Sequence, residues 1–215
     1  MLHPVTQGKF ITFEGGEGAG KSTQLKRLVA SLEAQGRAVT ATREPGGSPG
    51  AEDIRALVLQ GQADRWSPTT ETLLMYAARR DHVERVIRPA LAEGRWVICD
   101  RFFDSTRAYQ GAGGGVDPAF ISALETYAVE DTRPDLTLVF DLPVGEGLER
   151  AHARAGHEMR FESKGLAFHE RLRERFLAIA RAEPGRCAVI DASGSPDEVE
   201  ARVWAAVQDR LAVHG

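Results

Sequence analysis

Residues 13–23 read FEGGEGAGKST. Gly15, Gly20, Lys21 and Ser22 satisfy GxxxxGK[ST], with an apolar strand pattern before and an amphipathic helix pattern after, the context that a phosphate-cradling loop requires. Gly15, Gly16, Gly18 and Gly20, with the small Ala19, let successive backbone N–H groups converge on phosphate oxygens. The following helix N-terminus adds partial positive charge. Lys21 supplies a mobile full charge, and Ser22 is expected to place its hydroxyl on a Mg²⁺ that bridges the terminal phosphates of a nucleoside triphosphate. Thr23 reads as a helix-packing residue. Glu17 is the anomaly, because a carboxylate inside such a loop repels the ligand that the loop is built to hold.

A phosphate loop alone does not choose between a switch, a motor and a transferase. A guanine-reading switch needs an Asn-Lys-x-Asp segment, and this chain contains no asparagine. Transfer to a small acceptor needs a second anion site and arginines that neutralise charge during transfer. VICDR (97–101) ends a strand pattern on Asp100 and Arg101, at the sheet edge where ligands bind; an ion pair at a strand end is the plainer reading. In GLERAHARAGHEMRFE (147–162), Arg150 and Arg154 share one helix face and Arg160 follows in a loop. That segment is either a solvated basic face or a lid that closes on phosphates and excludes water.

Short apolar runs must position these groups. FITFEG (10–15), AVTAT (38–42), RWVICD (95–100), LTLVFDL (136–142) and CAVIDA (187–192) read as buried strands of a parallel sheet. Leu25, Leu28, Val29 and Leu32 form one helical stripe that Gly36 closes. Residues 68–93 form a longer helical stretch that Pro89 kinks or interrupts. Val199, Val203, Val207 and Leu211 make a C-terminal helix with Asp197 in its first turn. This alternation predicts a doubly wound α/β fold in a single domain over residues 1–215, with a lid near 150–164. The Gly-rich patches 45–50 and 111–115 read as active-site loops.

Composition excludes several classes. At 215 residues, 42% apolar and 27% charged, the chain is an ordinary globular length and mixture. A net charge of −4 argues against general affinity for nucleic acid. Only Lys9, Lys21, Lys26 and Lys164 are lysine among its 27 basic residues, so the lysine in the loop motif stands out. Cys99 and Cys187 form no CxxC pair and read as reduced core thiols. No apolar run approaches a membrane span and the N-terminus lacks a signal-peptide core, which predicts a cytoplasmic location with no membrane partner.

Beyond the loop, TREPGGSPGAEDIR (42–55), LLMYAARRDH (73–82), CDRFFDSTRAYQGAGGG (99–115), RPDLTLVFDLPVGEGLERAHAR (133–154) and RFE (160–162) occur in an order that resembles the bacterial thymidylate kinases, essentially over the whole chain. CDRFFDSTRAYQG is close to a family signature by itself. The resemblance implies the three-layer P-loop nucleoside monophosphate kinase fold, with about five parallel strands, helices on both faces and a short lid. It implies transfer of the γ-phosphate of ATP to dTMP with Mg²⁺, in a homodimer. The alternatives are another P-loop nucleoside or nucleotide kinase, or a nucleotide-binding module without turnover.

The family also implies roles for single residues. Glu17 would turn away from the donor phosphates and accept a hydrogen bond from the 3'-hydroxyl of dTMP. Arg55 and Arg101 would hold the dTMP phosphate, and Asp100 would lie near Mg²⁺ and its waters. Arg79 and Gln110 would meet the O4 side of thymine, Thr106 the N3 position, and Tyr109 would crowd the sugar 2' position. With no arginine in the loop, the lid supplies the transfer-stabilising charge, first from Arg154 and second from Arg160, while Arg150 lies against the adenine or an adjacent phosphate. Many family members have phenylalanine where this chain has Met75. Either the Met75 thioether contacts the base or it is helix core, in which case Tyr76 or Phe102 takes its place.

Overall fold

The computed structural model describes residues 8–62, 65–153 and 164–213. Five strands, β1 (Phe10–Gly15), β2 (Val39–Arg43), β3 (Trp96–Asp100), β4 (Leu136–Asp141) and β5 (Cys187–Asp191), form one parallel sheet in the order β2-β3-β1-β4-β5. All five expected strands are present, β1 with its expected ends and the others with ends shifted by at most a residue. Parallel pairing forces crossovers, and helices fill them on both faces.

Side-chain alternation along the strands divides the core in two. On one face, Ile11, Phe13, Ile98 and Leu138 pack against Leu25, Leu28 and Leu32 of α1 (Lys21–Ala34) and against Val199, Val203 and Val207 of α9 (Pro196–Leu211). Phe10, Val97 and Cys99 point to the opposite face, where Val83, Ile87, Phe102 and Phe103 cover them. Farther along that face, Val139 and Cys187 meet Phe168, Leu172 and Phe176 of α8 (Leu166–Ala182). Both cysteines are buried and unbridged.

Local chemistry sets the helix ends. Gly36, at φ 76°, lets Arg37 N–H return to Leu32 O after α1. The α9 start is fixed by Ser195, whose hydroxyl accepts from Glu198 N–H while Glu198 reaches back to Ser195; Asp197 sits in that first turn but is not the cap. Residues 68–93 neither run straight nor stop at Pro89. α3 (Pro68–His82) passes through a π-helical turn, Val83–Ile87, into the short α4 (Arg88–Ala92), which absorbs the proline's missing N–H.

Two expectations need correction. Thr23 does not pack into the helix layer but is exposed, because the stripe facing the sheet is carried by Gln24, Leu25 and Leu28. The glycines at 111–115 are not simply a loop: after α5 (Phe103–Thr106), Gly111 and Gly113 belong to a π-helical segment, Arg107–Gly113, that packs under α8. A Cβ at Gly113 would stand 2.5 Å from the Phe168 ring, so the glycine permits that approach.

α2 (Pro49–Leu59), α6 (Pro118–Val129) and α7 (Val144–His152) complete the described elements. Leu32, fully buried between α9 and the sheet, has no room to be replaced by solvent. Leu32→Ala is expected to lower the stability measured by urea unfolding by about 2–5 kcal/mol, the range for an unrelaxed leucine cavity.

Candidate active site

Parallel register carries the chemistry to one edge. Phe13 pairs with Asp100 across β1 and β3, and Arg43 with Asp100 across β2 and β3, so Gly15, Asp100 and Glu44 leave the sheet side by side. Glu44 N–H donates to Asp100 O at 2.9 Å. The loop Gly15–Gly20 therefore opens beside Asp100 and Arg101, at the carboxyl ends of the strands, where ligands bind in open α/β sheets.

Gly15, Gly18 and Gly20 all have positive φ, which turns the chain back over β1 into α1. Gly18 lies directly against Gly147 of α7, and a Cβ on Gly147 would come within 2.5 Å of Glu17 O. The Lys21 ammonium donates to Gly16 O at 2.7 Å and Gly15 O at 3.2 Å, folded over its own loop. Burial lowers its pKa to about 8, helped by the Arg101 charge and opposed by Glu17, Asp100 and Glu14. The Ser22 hydroxyl donates to Asp100 Oδ2 at 2.7 Å, which places two hard oxygens together at the mouth of the loop.

Glu17 turns out of the loop. Its Oε1 accepts from Tyr109 Oη at 2.6 Å and from an Arg101 NH2 at 3.0 Å. Burial would raise this carboxyl, but the charges of Arg101 and Lys21 and the Tyr109 hydrogen bond outweigh it and hold the pKa at about 2. Glu17 is thus an anion at neutral pH. Arg101 adopts φ 69° and donates through NH1 to Gly15 O at 3.0 Å and Ser105 Oγ at 3.1 Å, with its guanidinium 4.9 Å from the Tyr109 ring centre. Burial opposes the Arg101 charge, yet Tyr109, Glu17, Asp100 and Glu14 raise its pKa above the ordinary arginine value.

The left-handed turn at Arg101 has its own support. Glu14 accepts from Phe102 N–H at 2.8 Å and from the Ser105 hydroxyl at 2.6 Å. Burial, with Asp104 nearby, pushes the Glu14 pKa up to about 8 despite these donors. Sequence reasoning missed Glu14 and Ser105, although an acid inside the wholly buried run FITFEG was a usable signal.

A cleft of about 770 Å³, including space open to solvent, continues from Glu17 and Arg101. Its walls also carry Glu44, Pro45, Arg55, Met75, Arg79, Phe102, Thr106, Tyr109 and Gln110. All the acceptor residues expected from sequence, except the alternative Tyr76, thus line this one cleft. Met75 and Phe102 both line it, whereas Tyr76 packs with Val116, Ile121 and Ala128 instead. Arg55 donates to Pro45 O at 2.7 Å.

Arg79 is not a surface cation. It is 3% exposed and donates through Nε to Glu44 Oε2 at 2.7 Å, through NH1 to Thr106 Oγ1 at 3.2 Å and through NH2 to Phe102 O at 3.1 Å. Glu44 in turn meets His82 Nδ1 at 3.0 Å, and His82 Nε2 lies 2.7 Å from Thr42 Oγ1. Neither Glu44 nor His82 was singled out from sequence, since their partners stand far apart in the chain.

In α7, Arg150 pairs with Glu146 and reaches Ala192 O at 3.4 Å. Arg154 and Arg160 lie outside the described residues. Among the described residues no three His, Cys, Asp or Glu side chains cluster as a metal cage, and no helix is long and apolar enough to cross a membrane.

Comparison with known proteins gives one family. The family model described as thymidylate kinase matches residues 13–203. The thymidylate kinase of Caulobacter vibrioides is 64% identical over 207 residues, covering 96% of this chain and 99% of that protein. That of Bradyrhizobium diazoefficiens is 56% identical, covering 95% and 91%. The crystal structure of thymidylate kinase from Ehrlichia chaffeensis superposes with a TM-score of 0.75 at 34% identity, covering 94% of this chain and 99% of that one. The sheet order, the phosphate loop and these matches agree, and the chain belongs to the thymidylate kinase family.

Proposed function

We propose that this chain transfers the γ-phosphate of ATP to dTMP, giving dTDP and ADP, in the supply of DNA precursors. The observation that carries this reading is the junction at Glu17 and Arg101: the phosphate loop and the acceptor cleft share one ion pair. A monophosphate seated in the cleft beside Arg101 would face a triphosphate lying along the loop, which is the in-line arrangement that phosphoryl transfer requires.

Each residue then has a task. The loop amides and Lys21 hold the donor phosphates, Lys21 exchanging its carbonyl partners for phosphate oxygens. Arg101 and Arg55 grip the acceptor phosphate, since guanidinium forks match its oxygens. Glu17 orients the sugar 3'-hydroxyl, and the Tyr109 ring beside it limits room at the 2' position. Arg79, Thr106 and Gln110 read the base edge, and Met75 with Phe102 provides its apolar walls. Ser22 and Asp100 fit Mg²⁺, a hard ion that takes few protein oxygens and keeps its waters; when bound it supplies neutralisation of phosphate charge. Arg154, with Arg160 as the second candidate, brings charge to the transferring group from the segment near 150–164.

A homodimer fits the surface. Leu57 of α2, Leu73 of α3 and Tyr127 of α6 are 42%, 47% and 79% exposed on helices that pack side by side, a face suited to a two-fold contact. We place the single-domain enzyme in the cytoplasm, where its substrates are made.

A coupled ADP-release assay across dTMP, dUMP, dCMP, UMP and thymidine is expected to give the highest kcat/KM with dTMP; a higher value for another acceptor overturns the substrate. Lys21→Ala and Arg154→Ala are each expected to lower kcat by roughly 10²–10³-fold, the scale of losing one transition-state donor. Arg154→Ala should leave dTMP affinity, measured by calorimetry, nearly intact, and a lost affinity would move that arginine to the acceptor site. Glu17→Gln should raise the KM for dTMP and erode discrimination against 3'-deoxy-TMP. Unchanged discrimination would remove Glu17 from the sugar.

A further inference from the structure

Gln110 lies on the cleft wall at the base end, 2% exposed. Its backbone carbonyl accepts from Val116 N–H at 3.0 Å, and its specificity turns on which end of its side-chain amide faces the cleft. Glu71, in the first turn of α3 and 7% exposed, accepts from Gln110 Nε2 at 2.8 Å. An ionised carboxylate can only accept. Turning the amide the other way would press two acceptors together in a buried place, at a cost of about 1–3 kcal/mol for the groups left unpaired.

The amide oxygen is consequently the end left for the cleft. Among the described residues it receives no hydrogen bond, and it is not among the side-chain atoms buried without a partner. Arg79 lines the same cleft, an obligate donor with N–H groups to spare beyond those given to Glu44, Thr106 and Phe102. The cleft lining therefore offers both a donor and an acceptor. Thymine presents the complementary pair, O4 as acceptor and N3–H as donor. Cytosine presents the reverse, an amino donor and a bare N3 acceptor.

We propose that Glu71 is a specificity-determining positioning residue, which fixes the Gln110 amide so that its oxygen accepts from N3–H of the base and rejects cytosine. This moves Gln110 from the O4 side, where the family resemblance put it, to N3, and it rests on dTMP being the acceptor. Glu71 acts through Gln110 and touches no reacting atom.

The test is a change of sign at constant size. Glu71→Gln can offer Gln110 either an oxygen or an NH₂, so the Gln110 amide becomes free to reverse and to donate to cytosine N3. The ratio of kcat/KM for dTMP over dCMP is expected to fall roughly tenfold or more, while the KM for ATP stays at the wild-type value. Glu71→Asp, still only an acceptor, is expected to keep a ratio nearer that of the wild type. The double variant Glu71→Gln with Gln110→Glu, which conserves charge and restores an obligate acceptor at the cleft, is expected to recover preference for dTMP over the single variant. A Glu71→Gln enzyme with the wild-type ratio overturns the proposal, as does an equal loss on both nucleotides, which would mark a purely structural role. Should Glu71→Gln fail to melt cooperatively, the Glu71→Asp and double variants decide, and a double variant that accepts dCMP as readily as dTMP sinks the idea. A wild-type chain that does not phosphorylate dTMP would instead bring down the substrate reading and this inference together.

Discussion

A carboxylate in the middle of a phosphate loop is tolerable only if another charge owns it, and Arg101 does. The pair at 3.0 Å, with Tyr109 donating to the same Glu17 oxygen, draws the acid out of the loop and away from its backbone amides. The rest of the site is arranged around this exchange. Arg101 must stand beside Gly15, which the β1–β3 register provides, and it must take φ 69°, which Glu14 supports by accepting from the next backbone N–H. A buried acid thus holds the turn that aims a half-buried base at a second acid.

Acids are used the same way at the far end of the cleft. Glu44 is to Arg79 what Glu17 is to Arg101, and both partners of that pair are 3% exposed. Removing one member of such a pair strands the other in low dielectric, typically at about 3–5 kcal/mol, so the pair is fixed as a unit. Fixing a guanidinium removes its rotamer freedom before any ligand arrives, which lowers the ordering cost of binding. The cleft is therefore preorganised by groups that need not touch the ligand.

Much of the scaffold was legible because strands buried on both faces must be apolar nearly throughout, and the loop because its glycines have no cheap substitutes. α8 was harder to see. Its buried face, Phe168, Leu172, Phe176 and Ile179, is interleaved with arginines that dilute the periodic signal. The supporting acids were harder still, since the partners of Glu14, Glu44 and Glu71 lie from about 35 to 91 residues away, and only the folded sheet brings them together. Met75 and Phe102 share the cleft while Tyr76 turns to the α6 side, a choice made by helix rotation that residue types alone left open.

The same commitments bear on where the charge for transfer comes from. Arg101 is engaged with Glu17 and Gly15, Arg79 with Glu44, Arg55 with Pro45, and Arg173 forks onto Asp141. Groups held this firmly suit binding and orientation, because they present the same charge before and after the phosphoryl group moves. Stabilising a transition state calls for charge delivered where it develops. Gly18 resting on Gly147 ties the loop to α7, the helix that leads toward Arg154. Arg101, Arg79, Arg55 and Arg173 are thus committed to fixed partners, and under the proposed transfer the mobile charge has to come from an arginine that is not held in this way.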